Sequence, residues 1–138
     1  MRSCAPSPRT WASRRAISAA DAGSRAESAA AAWLTGQGYG IADRNYACKV
    51  GELDLVATKG DLLVFVEVKS RHRDNFGAPA EFVDRRKQTK LLRAASFYLK
   101  KFGEKPPACR FDVIEVRWDP AGRPVINHLP DAFRQGWG

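Results

Sequence analysis

Two apolar runs joined by a short glycine-containing turn constrain this chain more than any other feature. Glu52-Leu53-Asp54-Leu55-Val56-Ala57 and the stretch Leu62 to Ser70 are dominated by β-branched and apolar residues, with Thr58-Lys59-Gly60-Asp61 between them. Such a pattern reads as a β-hairpin. Side chains alternate faces along a strand, so Glu67 and Lys69 share one face while Val64, Val66 and Val68 share the other, expected to be the buried side. Pairing Ala57 with Leu62 sets Asp54 diagonal to Glu67. A slip of the turn sets them opposite, with Cβ atoms about 5 to 8 Å apart in either register.

Two carboxylates at that distance repel unless something cancels their charge. A hard cation such as Mg2+ does so, keeping several waters of which one can become a nucleophile. Lys69 then stands ready to orient or deprotonate that water, or to neutralise charge on a transferring phosphoryl group. The pattern therefore points to metal-dependent cleavage of phosphodiesters. An exposed hairpin face with a Glu/Lys pair has the same spacing, and spacing alone does not separate the two.

The net charge of +8 is unevenly spread. Residues 69 to 101 hold ten Lys and Arg against three Asp and Glu, and the rest of the chain is nearly neutral. Segment 27 to 68 runs the other way, three basic against six acidic. An acidic patch followed by a basic one suits a metal site beside a phosphate-binding surface, although a solvated Arg/Lys-rich helix face gives the same count. Arg71 and Arg73 leave the second hairpin strand, and Arg86, Lys90 and Arg93 gather on the first half of a helix expected from the N-cap Asp84 to about Phe102. These five are the candidate nucleic-acid contacts. Leu91, Ala95, Tyr98 and Phe102 form that helix's expected buried stripe.

An alanine-rich first helix is expected over Ala19 to Thr35, ended by Gly36 and Gly38. It sets Glu27 on a stripe with Ala30, Ala31 and Leu34. A strand over Tyr39 to Ala47 follows. A last strand, Arg110 to Trp118, alternates Phe111, Val113 and Glu115 against Asp112, Ile114 and Val116. Asp112, if buried, needs a partner such as an arginine.

The order Glu27, Asp54, Glu67-Val68-Lys69, with the flanking text GELDLVA and FVEVKSR, resembles the PD-(D/E)XK nuclease superfamily and, within it, the YraN-like family of predicted endonucleases. The resemblance covers roughly residues 22 to 117, including FGAPAEFVDRRKQ and RFDVIEV. Gly51-Glu52-Leu53-Asp54 stands where the superfamily's name has Pro-Asp. The resemblance implies that Asp54, Glu67 and the Val68 backbone carbonyl bind Mg2+ or Mn2+, that Lys69 is the catalytic lysine, and that Glu27 approaches the metal through water. It marks Lys87 and Gln88 as further candidates for the active site. It also implies a restriction-endonuclease-like α/β sandwich, a mixed sheet of four or five strands flanked by helices in the order αβββαβ. Many members of the superfamily act as dimers, so a homodimer is an expectation of the resemblance.

Residues 1 to 20 carry four arginines and no acid and are expected to be a disordered basic arm, residues 21 to 118 the nuclease-like domain, and 119 to 138 a C-terminal extension. No run reaches the roughly 18 apolar residues of a membrane span. Cys4, Cys48 and Cys109 form neither a disulfide framework nor a zinc pattern, and a reducing cytoplasm is the expected compartment. The leading expectation is an endonuclease acting on DNA, with branched or damaged structures as candidate substrates. A noncatalytic nucleic-acid-binding module of the same fold, or action on RNA, stays open, because phosphate contacts do not distinguish the polymers.

Overall fold

Alanine-rich Ala19–Gly36 forms helix α1. It ends where Gly38, at φ 96°, turns the chain so that the Tyr39 N–H donates back to the Leu34 carbonyl at 3.0 Å, a glycine-terminated helix end. The computed structural model describes residues 19–71 and 84–133. Most of the expected basic arm, and Arg73, lie outside the described residues. Strands β1 (Gly40–Cys48), β2 (Gly51–Lys59) and β3 (Leu62–Arg71) follow α1, then helix α2 (Arg85–Leu99), β4 (Cys109–Trp118) and β5 (Pro124–Leu129). Among the described residues no helix is long and apolar enough to cross a membrane.

The hairpin turn is tighter than the sequence suggests. Thr58 and Lys59 belong to β2, Lys59 pairs with Leu62, and only Gly60 and Asp61 turn. Gly60 has φ 60° at the first central position, which a type II′ hairpin turn requires. This is the slipped register, in which Asp54 would stand directly opposite Glu67. The ladder's last pair, however, is Leu55 with Val66, and the two strands part at the acids.

The sheet runs β1-β2-β3-β4-β5 and is mixed: β3 and β4 are parallel, and the other neighbours antiparallel. Parallel neighbours need a crossover, and the segment containing α2 supplies it. Asp84 caps α2, its side chain accepting the Lys87 N–H at 2.8 Å. The helix is shorter than expected, since Lys100–Phe102 tightens into a 3-10 turn and Phe102 is exposed instead of completing the buried stripe. The segment expected to be an extension contributes β5, a full member of the same sheet.

Both faces of the sheet are covered. Leu55, Ala57, Val64, Val66, Ile114 and Val116 pack under Ala26, Ala30 and Leu34 of α1. Leu53, Val56, Leu63, Phe65, Phe111 and Val113 pack under Leu91, Ala94, Ala95 and Tyr98 of α2. The valine face of β3 is therefore buried as expected, but so is most of the Glu67 face, because α2 lies on it. Truncating Phe65 there would cost about 3–5 kcal/mol.

On the α1 side, β4 and β5 are tied by Asp112, which is fully buried. Arg110 bonds it with Nε to Oδ1 at 2.7 Å and Nη2 to Oδ2 at 2.8 Å, and the Asp131 N–H donates to Oδ1 at 2.9 Å. His128 Nε2 lies 2.7 Å from Oδ2, and Arg110 Nη2 also donates to the Tyr39 hydroxyl at 2.9 Å. Burial alone would raise the Asp112 pKa, but the bonds from His128, Arg110 and Asp131 outweigh it and hold the carboxyl below its ordinary value. The arginine partner expected from sequence is Arg110, two residues away on the same strand.

Candidate active site

Asp54 sits where strand regularity fails. The β1–β2 ladder pairs Arg44 with Leu55 and Tyr46 with Leu53 but skips Asn45 and Asp54. Asn45 is held at φ 52°, a left-handed conformation that asparagine tolerates better than most residues. Leu53 and Val56 pack on the α2 side while Leu55 packs on the α1 side, so the alternation of β2 breaks at Asp54. Irregularities of this kind re-aim a side chain. The Asp54 carboxylate enters the gap between β2 and β3, where Oδ2 accepts the Val68 N–H at 2.9 Å. A strand residue's N–H and C=O leave the same edge, so the Val68 carbonyl turns toward this gap as well.

Glu67 lies beside it, only 6% exposed. Lys69 Nζ stands 3.7 Å and Lys87 Nζ 3.4 Å from Glu67 Oε2. Both exceed good hydrogen-bond length, so they act on the carboxylate mainly as charges. Burial is the chief cause that pushes the Glu67 pKa up to about 7. The neighbouring Asp54 adds to it by its charge and by accepting a bond from the protonated Glu67, and the two lysines only partly offset the rise.

Glu27 of α1 lies within electrostatic reach of Asp54 and hydrogen-bonds Asn45 of β1. Its pKa is raised, first by burial and then by the charge of Asp54, while a hydrogen bond with Asn45 and the charge of Arg44 oppose the rise. Arg44 of β1 donates Nη2 to Ser28 Oγ of α1 at 2.9 Å.

The fold thus gathers Glu27, Asp54, Glu67, Val68, Lys69 and Lys87. Gln88 is half-buried on α2, next to Lys87. Arg86, Lys90 and Arg93 are exposed on α2, and Arg71 ends β3 half-exposed with Nε 3.2 Å from Glu115 Oε2. Asn45, toward the end of β1, lies near the acidic hairpin, and Glu115 and Asn127 join the surroundings without a sequence expectation. A charged residue amid the valines of β4 was a visible signal for Glu115, whereas Asn127 gave none.

Among the described residues no group of three or more His, Cys, Asp or Glu side chains could by itself hold a metal ion. Asp54 and Glu67 supply two carboxylates, which suits Mg2+, an ion often bound by one or two carboxylates with water completing its shell. A buried Glu67 with a raised pKa beside a second carboxylate is also what a bound cation would relieve. The donor set fits such an ion.

Residues 26–116 match the family described as "Uncharacterised protein family UPF0102". A UPF0102 protein of Symbiobacterium thermophilum is 48% identical over 111 residues, covering 80% of this chain and 94% of that protein. One from Hahella chejuensis is 46% identical over 120 residues, 87% of this chain and 95% of its own length. Another from Rhodococcus jostii is 41% identical over 111 residues, 80% and 94% of the two chains. The matched segment contains all six gathered residues.

Proposed function

This chain belongs to the UPF0102 family, and from the site above we propose that it is an endonuclease that hydrolyses phosphodiester bonds in DNA with Mg2+ or Mn2+. One observation carries the reading: two acids, Asp54 and Glu67, share a gap between parted strands, beside two lysine ammonium groups. The resemblance to PD-(D/E)XK nucleases supports the same assignment.

Asp54, Glu67 and the Val68 carbonyl would hold the ion, with Glu27 approaching through water. When bound, such a cation supplies Lewis acidity and a water acidic enough to attack phosphorus near neutral pH. Glu67 would serve as a ligand in its ionised form. Asp54 stays oriented by the Val68 N–H. As ammonium groups, Lys69 can orient the attacking water, and Lys69 and Lys87 can both neutralise charge growing on the phosphoryl oxygens. Arg71, Arg86, Lys90 and Arg93 would attract and seat the phosphate backbone.

A noncatalytic binding module is the second reading, favoured by the lack of a third metal-ligating side chain in the cluster among the described residues. Cleavage of linear, nicked, branched and single-stranded DNA and of RNA, with Mg2+, Mn2+ or EDTA, separates the two. The endonuclease reading expects metal-dependent cutting that Asp54→Ala and Lys69→Ala both abolish. Binding without cutting by folded wild-type protein on every polymer would leave the binding module.

A further inference from the structure

Glu115 is the buried acid on the site's face for which the chemistry above has no use. It is 0% exposed, and the parallel ladder pairs it with Lys69. Both its oxygens are engaged: Oε1 accepts Asn127 Nδ2 at 2.8 Å, and Oε2 accepts Arg71 Nε at 3.2 Å. Arg71 is 35% exposed, so one side of this pair lies in the sheet and the other reaches solvent. Taking a carboxylate out of water costs several kcal/mol, and an apolar residue in the same place often serves stability as well or better. What a carboxylate here provides is a fixed anchor for one long cationic side chain.

We infer that Glu115 and Asn127 are positioning residues for Arg71, and that Arg71 binds the backbone phosphate next to the one at Lys69 on the same nucleic-acid strand. The inference rests on the phosphodiester reading of the Asp54–Glu67 site. Lys69 and Arg71 are two apart on β3, about 7 Å along the strand and on one face, a spacing comparable with that of successive phosphates. Arginine suits the task because its planar fork can bond a carboxylate on one edge while presenting donors to a phosphate on another. Anchoring the guanidinium in advance lowers the ordering cost paid on binding. Asn127 makes β5 part of this support without itself touching the nucleic acid.

The test is binding of a DNA oligonucleotide in EDTA as a function of salt, for wild type, Arg71→Ala, Glu115→Gln, Asn127→Ala and the Arg71→Ala/Glu115→Gln double variant. Arg71→Ala is expected to weaken binding about tenfold and to reduce the slope of log affinity against log salt by about 0.7–0.9, one phosphate contact. Glu115→Gln and Asn127→Ala should weaken binding in the same direction by about threefold, and Glu115→Gln should add nothing once Arg71 is gone. Unchanged salt slope in Arg71→Ala, or additive losses in the double variant, would overturn the inference. If Glu115→Gln does not fold, Asn127→Ala combined with Arg71→Ala gives the same non-additivity test.

In Mg2+, Arg71→Ala should raise KM with little change in kcat. A neutral methylphosphonate one position from the cut should erase the difference between wild type and Arg71→Ala, and a persisting difference counts against adjacency. No cutting in Mg2+ would remove the endonuclease reading while the EDTA results still decide the role of Arg71.

Discussion

Asp112 and Glu67 are both buried carboxylates on the two central, parallel strands, yet their surroundings act on them in opposite directions. Asp112 receives two bonds from Arg110, one from His128 and one from the Asp131 N–H, and its pKa is lowered. Glu67 has two lysines at ion-pair distance and an acid beside it, and its pKa is pushed up to about 7. Burial raises both; the difference lies in what each site offers against burial. A carboxylate whose partners are all in place serves the fold, whereas one left short of positive charge suits a ligand that brings it.

Substitutions can break this contrast, beginning with the largest effect. Asp112→Ala leaves Arg110 and His128 without their buried anion and should cost about 3–5 kcal/mol, read by denaturant unfolding. An effect under 1 kcal/mol would show that the network supports little. Lys69→Ala should lower cleavage by about 10²–10³-fold with the melting temperature nearly unchanged, and an equal loss of stability would move Lys69 to the structural side.

Glu67→Gln should do the reverse of Asp112→Ala. A folded pKa near 7 against an ordinary 4.5 means the stabilisation is full below pH 4.5 and is lost as pH rises through 7. Without metal, the glutamine variant should therefore gain on the order of 2–3 kcal/mol over wild type at pH 8, with the gain shrinking toward pH 4. Metal affinity of the wild type should rise with pH over the same interval, because the ligand must be deprotonated, and a calorimetric titration at pH 6 and pH 8 checks it. The smallest effect is Lys87→Met. Removing one of the two nearby cations should move the Glu67 midpoint further up, by NMR, while changing stability by only a few tenths of a kcal/mol, since Lys87 is 44% exposed.

Much of this was legible in the sequence, for local reasons. The hairpin strands, α1 and the N-cap of α2 follow from alternation, alanine content and Asp84, all short-range signals. Glu67 and Lys69 share a face because two residues along a strand always do. The turn length stays open in the sequence because Thr58 and Lys59 are acceptable in either a turn or a strand, and the structure adopts the slipped register with Gly60-Asp61 as the turn. Phe102 left the stripe because the helix tightened before it, a choice its apolar character does not encode. At β5 the Val125-Ile126 pair is legible as a short strand, but its full extent is not, because the six residues also carry a proline and two polar side chains and its length depends on pairing with β4.

By itself the sequence determined the family, the two acidic strand positions and the lysine between them and the basic segment, because composition, order and period 2 are properties of the chain alone. Only the tertiary structure decided that Asp54 enters the gap at the end of the β2–β3 ladder, that Lys87 comes from a helix 20 residues beyond Glu67 to the same carboxylate, and that Asp112 and Glu115 are held by direct hydrogen bonds while Glu67 lies beside a second acid. Those outcomes depend on which distant donors reach a buried oxygen, and burial and distance exist only once the sheet and helices have packed.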